Sequence, residues 1–441
     1  CTERDFNDLL GALYGQHARL GEVIEDMGEM QYERDEEAES APVKDLEVSS
    51  LKDLAEEAPV IRLVNSILAQ AIRDSASDIH LSPEKDRINL RFRIDGKLHN
   101  VPAPPVRMFL PIISRLKILA NMDISISRIP QDGRFTIRMD HHDINIRAST
   151  MPTIYGENLV LRLLDTSAGV FSLNELGMSD YDLPKINSVL DKPYGMILAT
   201  GPTGSGKSTT LFSIIKEINR PDVNIITLED PVEYRVEGVR QIQLNRKAGM
   251  TFANGLRSIL RQDPDVIMVG EIRDAETAQI SVQAALTGHR VFSTVHTNDA
   301  AGAITRLLDM GIEPFLASSV LLVSIAQRLV RRVCPSCRKP YDPPKSALEL
   351  FGLESSPDTD YLVGGGCYHC LETGYRGRIG IYEILIIDQA VQELILKKAS
   401  SRDITRAAVE AGMLHTLKDD AADKIRRGIT TFQEAASAIM G

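Results

Sequence analysis

The chain has 441 residues, 43% of them hydrophobic and 25% charged, with a formal net charge of −11. That is enough material for two or three domains, each with its own core. An acidic balance of this size repels nucleic acid and anionic lipid alike, so contact with either would need a local basic patch. No apolar run reaches the roughly 20 residues of a membrane-spanning helix; the best candidate, residues 315–326, is broken by serines and ends in Gln327-Arg328. No secretory signal opens the chain, and Cys1 in place of a methionine is expected to mark a trimmed amino terminus.

Residues 22–57 are crowded with Glu and Asp and poor in large apolar side chains, which predicts a flexible acidic linker. From Ala58 the pattern changes. Val60, Ile61, Val64, Ile67, Leu68, Ala71 and Ile72 recur at helical spacing and predict an amphipathic helix. Alternating segments at 88–94, 135–138, 144–147 and 158–164 then read as half-buried strands, with Asp95-Gly96 and Asp132-Gly133 as turns and His141-His142 in a hairpin loop. This is an α+β domain ending near Asp165.

Beyond Pro193, strands and helices alternate as in an open, mostly parallel sheet. The first apolar run, residues 195–200, leads into Gly201-Pro202-Thr203-Gly204-Ser205-Gly206-Lys207-Ser208, followed by Thr209 and a helical pattern to Lys216. The spacing G-x-x-x-x-G-K-[ST] between a strand and a helix is a Walker A phosphate loop. Its glycines let backbone N–H groups converge on phosphate oxygens, Lys207 neutralises the β and γ phosphates of ATP, and the Ser208 hydroxyl is placed for Mg²⁺ at a helix N-terminus.

Three further apolar runs end in polar chemistry: 224–228 before Glu229-Asp230, 266–269 before Gly270-Glu271, and 290–295 before His296. In such sheets ligands bind at the carboxyl ends of the strands, so these groups are expected to meet at the phosphates. Glu271 is the first choice for the acid that orders Mg²⁺ or activates water. The departure from the simplest Walker B form, in which Asp263 and Asp265 precede the apolar run, leaves the partition of roles open. Glu229, Asp230 and Glu233 form a second acidic group, and His296 is placed to sense the γ phosphate. Arg257 and Arg261, four residues apart, are expected on one helix face. Arg147 and Arg162, on strands of the preceding domain, are either arginine fingers reaching across a domain interface or surface arginines.

Cys334-Pro-Ser-Cys337 and Cys367-Tyr-His-Cys370 are two C-x-x-C pairs with 29 residues between them. Paired knuckles of this kind supply four thiolates to a structural Zn²⁺; free thiols and disulfides are the competing readings. His369 is read as a bystander and Cys1 as the odd cysteine. Gln327-Arg-Leu-Val-Arg-Arg332, with Arg338 and Lys339 nearby, is the one concentrated basic patch. It is read as a solvated helix face, with anionic lipid headgroups as the sharper alternative.

From about Ala58 to its end the chain resembles the secretion ATPase superfamily, most closely the general secretion pathway E family of type II secretion ATPases. The resemblance rests on ATGPTGSGKSTTL (199–211), ITLEDPVEY (226–234), LRSILRQDPDVIMVGEIRD (256–274), TGHRVFSTVHTNDA (287–300), AQRLVRRVCPSC (326–337) and GYRGRIGIYEIL (374–385). It implies an α/β fold: a RecA-like P-loop ATPase domain over 171–441 with an inserted tetracysteine zinc subdomain at 331–380. Before it come a PAS-like α+β domain at 58–170 and a remnant of the amino-terminal region at 1–57. It also implies an aspartate box at Glu229–Glu233, Glu271 as Walker B acid and His296 in a histidine box. Arg147, Arg162, Arg257, Arg261, Arg273 and Arg306 match arginines implicated in nucleotide use. The expected cofactors are ATP, Mg²⁺ and Zn²⁺. The expected setting is a homo-hexamer in the cytoplasm, peripheral to the inner membrane, acting on a membrane platform and recruiting proteins rather than nucleic acid. A type IV pilus extension ATPase is the neighbouring reading.

Overall fold

A computed structural model of the chain describes residues 31–33, 52–139, 142–165, 171–246, 248–354 and 361–440. The chain falls into two compact units, residues 1–169 and 170–441. Most of the acidic segment, together with Cys1 and His141, lies outside the described residues. Within that segment, however, Gln31–Glu33 is a strand and residues 52–55 make a helical turn, so these parts are not linker.

In the first unit, the helix Ala58–Arg73 buries Val60, Val64, Ile67, Leu68 and Ala71, the side chains that share one face at 3.6 residues per turn. A second helix, Phe109–Leu119, joins it. Both cover one face of a seven-stranded sheet, ordered β1 (Gln31–Glu33), β5 (Gln131–Met139), β6 (His142–Thr153), β7 (Gly156–Asp165), β2 (Ala76–Pro83), β3 (Ile88–Ile94) and β4 (Lys97–Val101). Every pairing is antiparallel. Period-2 alternation sorts the two faces: Ile88, Leu90 and Phe92 of β3 are buried, while Asn89, Arg91 and Arg93 between them are not. The core joins Leu68, Ile112 and Leu116 from the helices to Ile79, Phe92, Ile137, Ile146 and Leu161 from the strands.

Asp95 and Gly96 form the β3–β4 turn, with φ of 48° and 82°. Asp132-Gly133 does not turn. Both residues lie inside β5, paired with Ser149 and Ala148 of β6. The glycine is needed for close approach: a Cβ at position 133 would stand 2.1 Å from the Ala120 carbonyl oxygen.

The second unit is built on β8 (Gly195–Thr200), β9 (Ile225–Glu229), β10 (Val239–Gln243), β11 (Val266–Val269), β12 (Arg290–Val295), β13 (Leu321–Val333) and β16 (Tyr375–Ile386), in the order 10-9-11-12-8-13-16. All neighbours are parallel except the last pair. β8, β9 and β11 are buried at every residue, which is why they read as continuous apolar runs rather than alternating ones. Helices cover both faces. On one side Leu211, Phe212, Ile214 and Ile215 of Lys207–Ile218 pack down; on the other are Ala278 and Val282 of Ala275–Leu286, with Ile304 and Leu307 of Ala300–Asp309. A third core, including Val330, Phe351, Ile381 and Phe432, lies beside the small ribbon of β14 (Arg338–Pro340) and β15 (Leu362–Gly364).

Residues 314–333 depart from expectation. The run becomes a short helix, Pro314–Val320, followed by the 13-residue strand β13, so the basic segment is strand and not helix face. Gln327 and Arg328 are only 1% and 8% exposed. The neighbouring carboxylate Glu383 on β16 is also buried. It accepts from the amides of Ala300 (2.8 Å) and Leu417 (3.3 Å), so one side chain caps the start of two helices. Burial raises its pKa, and the two amides oppose that rise.

Gly133→Ala should destabilise the first unit by roughly 2–3 kcal/mol through overpacking against the Ala120 carbonyl. A urea midpoint equal to that of the unsubstituted chain would contradict this.

Candidate functional site

The parallel register fixes which groups can meet. Val269 of β11 pairs with Leu228 of β9 and Ser293 of β12, and Val295 of β12 pairs with Thr200 of β8. Glu229-Asp230, Gly270-Glu271, His296 and Gly201 therefore all emerge at the same edge of the sheet, at the carboxyl ends of its strands. Asp263 and Asp265 stand at the opposite edge, where Asp265 accepts from the Asn224 amide at 2.7 Å. This separates them from the site and leaves Glu271 as the acid at the strand tip.

Gly201, Gly204 and Gly206 have φ of 145°, 78° and 87°, in the region side chains avoid. At Gly201 a Cβ would also lie 2.5 Å from the Gln327 carbonyl. Gly206 is the N-cap of the helix Lys207–Ile218 and brings no side chain to that terminus, leaving its amides for an external acceptor. The Ser205 hydroxyl is buried without a hydrogen-bond partner. Pro202, Thr203 and Gly204 are exposed, whereas Ser208 and Thr209 are half-buried; the Thr209 hydroxyl bonds that of Tyr234 at 2.9 Å.

Lys207 is 8% exposed and donates to the Gly201 and Pro202 carbonyls at 2.8 and 3.0 Å. Among the described residues it has no carboxylate within ion-pair distance. Burial pulls its pKa down to about 8; Glu271 and Glu233 oppose the shift and Arg328 adds to it. A buried ammonium without a counter-ion, an orphaned hydroxyl and an uncapped helix terminus together fit a phosphate.

Around this centre, the Glu271 carboxylate pairs with Arg273 at 2.6 Å and lies 3.4 Å from His296 Nε2. Glu229 is buried, accepting from the Thr227 hydroxyl (2.6 Å) and the Gln241 amide (3.1 Å), and burial raises its pKa. Asp230 is held by Arg246. Arg257 pairs with Glu276 at 2.7 Å; Arg261 falls beyond the end of helix Phe252–Ile259 and bonds the Arg257 carbonyl and the Ser258 hydroxyl. Arg306 is exposed on helix Ala300–Asp309. Arg147 and Arg162 face each other across β6 and β7, and Arg162 bonds Asp78 at 3.0 Å.

Four groups at the site were not singled out from sequence. Thr200 bonds Thr297 through its hydroxyl and accepts from the Thr297 amide at 2.9 Å. Gln327 accepts from the Thr210 hydroxyl at 2.8 Å, and Arg328 donates to the Asn298 carbonyl at 2.9 Å. Gln327 and Arg328 were hidden by their place in a basic run, and the threonines carry no distinguishing pattern.

The second centre lies at the end of β13. Cys334, Cys337, Cys367 and Cys370 bring their sulfurs within 4.8 Å of one another, with 334–367 and 337–370 at 3.8 Å and 367–370 at 3.7 Å. A tetrahedron with Zn–S bonds of about 2.3 Å has edges of about 3.8 Å. Disulfides, at about 2.0 Å, do not fit. The amides of Cys367 and Gly374 donate to Cys370 Sγ at 3.2 Å. Burial opposes them, but these amides hold the Cys370 thiol below its usual pKa, whereas burial pushes the Cys337 thiol up to about 12 and raises that of Cys367; a bound metal would favour the thiolates. His369 is exposed and outside the cluster.

Elemental analysis should find one zinc per chain, and Cys370→Ser should abolish it while lowering the melting temperature. A zinc-free wild-type chain after purification without chelator would refute the tetrathiolate.

The family described as Type II/IV secretion system protein matches residues 53–437. Type II secretion system ATPase E of Vibrio cholerae is 44% identical over 434 residues, covering 98% of this chain and 85% of that protein. Type II secretion system protein E of Pseudomonas aeruginosa is 49% identical over 388 residues, covering 88% and 77%. Among solved structures, the pilus retraction motor PilT, determined with bound ADP, superposes with a TM-score of 0.57 at 28% identity, covering 84% of this chain and 95% of that one. The Legionella pneumophila ATPase DotB shares the fold, with a TM-score of 0.63, 22% identity and coverages of 85% and 94%. Phosphate loop, strand-tip acid, histidine and four-cysteine cluster thus sit in a chain whose relatives are secretion ATPases, with ATP, Mg²⁺ and Zn²⁺ as cofactors. The chain belongs to the Type II/IV secretion system protein family.

Proposed function

We propose that this chain is the motor subunit of a type II secretion system, hydrolysing ATP to drive pseudopilus assembly and protein export. It works as a homo-hexamer in the cytoplasm, peripheral to the inner membrane, against a membrane platform and its recruiting proteins. Residues 58–170 form its amino-terminal module and 171–441 its ATPase domain, with a zinc-binding insert at 331–380. The observation that carries the reading is the meeting of Lys207, Glu271 and His296 at one edge of the sheet. Its relatives named for type II secretion supply the biological setting.

In this reading the loop from Gly201 to Thr209 cradles the phosphates and Lys207 neutralises the β and γ groups. Ser208 would hold Mg²⁺, which would supply positive charge to the phosphates. Glu271 takes the proton of the attacking water; its bonds to Arg273 and His296 orient the carboxylate. Glu229, Asp230 and Glu233 shape the acidic side of the pocket, and the buried hydrogen bonds of Glu229 keep that wall rigid. Arg147, Arg162, Arg257 and Arg261 supply positive charge to the γ phosphate in the assembled ring.

A type IV pilus assembly ATPase is the second reading, favoured by the fold shared with a pilus motor. Restoring secretion in a type II secretion mutant, but not piliation in a pilus mutant, separates the two. A RecA-like nucleic-acid motor is disfavoured by the net charge of −11.

Lys207→Ala should weaken ADP binding by roughly 1.5–3 kcal/mol, the worth of charged hydrogen bonds. Glu271→Gln should bind normally yet lose about 10²–10⁴-fold in kcat; undiminished turnover would remove it as the base. Arg162→Ala, if the residue is a finger, should lower kcat of the assembled enzyme by on the order of 10³-fold with ADP affinity kept. An unchanged kcat would return it to a surface role.

A further inference from the structure

The turn after β12 carries His296 and runs through Thr297, Asn298 and Asp299 into the helix Ala300–Asp309. Three neighbouring strands hold it. Thr200 at the end of β8 bonds Thr297, Glu383 of β16 accepts the Ala300 amide, and Arg328 of β13 donates through Nη2 to the Asn298 carbonyl at 2.9 Å. Arg328 differs from the other two. Its second arm, Nη1, donates to the Gln327 carbonyl at 3.1 Å, and this carbonyl is the atom against which Gly201 of the phosphate loop packs. The same Nη1 would lie 3.2 Å from a Cβ at Gly201.

Arg328 is 8% exposed, and among the described residues no carboxylate stands within ion-pair distance of it. A guanidinium buried without a paired anion is costly and needs its hydrogen bonds. Its planar fork presents two donors at a fixed separation, a geometry the single nitrogen of a lysine does not reproduce. Its charge also reaches Lys207 across the floor of the loop. Thr200, one residue before the loop, ties it to the same turn through Thr297, and Arg328 adds a second tie from β13.

We propose that Arg328 is a positioning residue for ATP hydrolysis: its two-armed guanidinium locks the His296 turn to the floor of the phosphate loop, so that His296 meets Glu271 in register with the bound nucleotide. The inference rests on the reading of His296 as a γ-phosphate and Glu271 partner given above. Its hydrogen bonds go to the Gln327 and Asn298 carbonyls, so it acts on the rate through His296 and leaves the nucleotide's own contacts in place.

The test is a double-mutant cycle on the full chain, reading kcat and the Kd of a fluorescent ADP for Arg328→Lys, His296→Ala and the pair. Arg328→Lys keeps the charge and loses the fork. It should lower kcat by about tenfold or more, the scale of a small misplacement at a reacting centre, while Kd stays within about threefold. In the His296→Ala background the same change should cost nothing further. If the lysine variant does not fold, Arg328→Met, which keeps the stem, carries the same comparison. A kcat within about twofold of wild type overturns the proposal, since misplacement at this scale costs more. So does an additive loss in the double variant, or a parallel fall of kcat and ADP affinity in both substitutions. A fully active His296→Ala variant removes the His296 reading and this inference with it; a slow His296→Ala variant with additive losses removes the Arg328 inference alone.

Discussion

Lys207 is buried at the start of a helix with only carbonyl oxygens to hold its ammonium. Burying such a group without a counter-ion is costly, and an anion sharing the site offsets that cost. The surrounding fold answers that requirement. Loop glycines with positive φ turn amides inward, Gly206 leaves the helix terminus uncapped, and Arg328 adds positive charge from below. Glu271 and Glu233 oppose the burial that lowers the Lys207 pKa. Most of the second unit follows from keeping this arrangement dry and in register, which explains why β8, β9 and β11 are buried throughout.

The register is what converts four separate stretches of chain into one site. Strands far apart in sequence become neighbours here: β8 lies between β12 and β13, so Thr200 meets Thr297 and Gln327 comes under the loop. The bonds that tie these strand ends run through hydroxyls and backbone groups together with Arg328 and Glu383, and they fix the spacing between the strand tips.

Much of this was legible in the residues themselves. The apolar runs before Gly201, Glu229, Glu271 and His296 are long enough to mark buried parallel strands, and the glycine spacing of the phosphate loop is tied to its own local geometry. The four cysteines were legible because ligand spacing within each knuckle is local too. What stayed hidden depends on contacts distant in sequence. Asp132-Gly133 has the composition of a turn, yet the glycine answers to Ala120, which only the fold brings near. Gln327 and Arg328 look like part of a wet basic surface, and nothing nearby in sequence says that β13 passes beneath the loop. Arg257 and Arg261 share helical spacing, but the helix stops before the second of them.

β13 has a further consequence. It begins at Leu321, supports the phosphate loop at Gln327 and runs, with a register shift between Arg331 and Val333, to one residue before the first of the four cysteines. Its antiparallel partner β16 returns from Tyr375 along the same path. Gln327 and Cys334 are seven residues apart along this ribbon, or about 23 Å at strand rise. The metal cluster is thus mounted on a stiff two-stranded arm rooted under the nucleotide, so a tilt of the loop floor of a few degrees would swing the tip by an ångström or more.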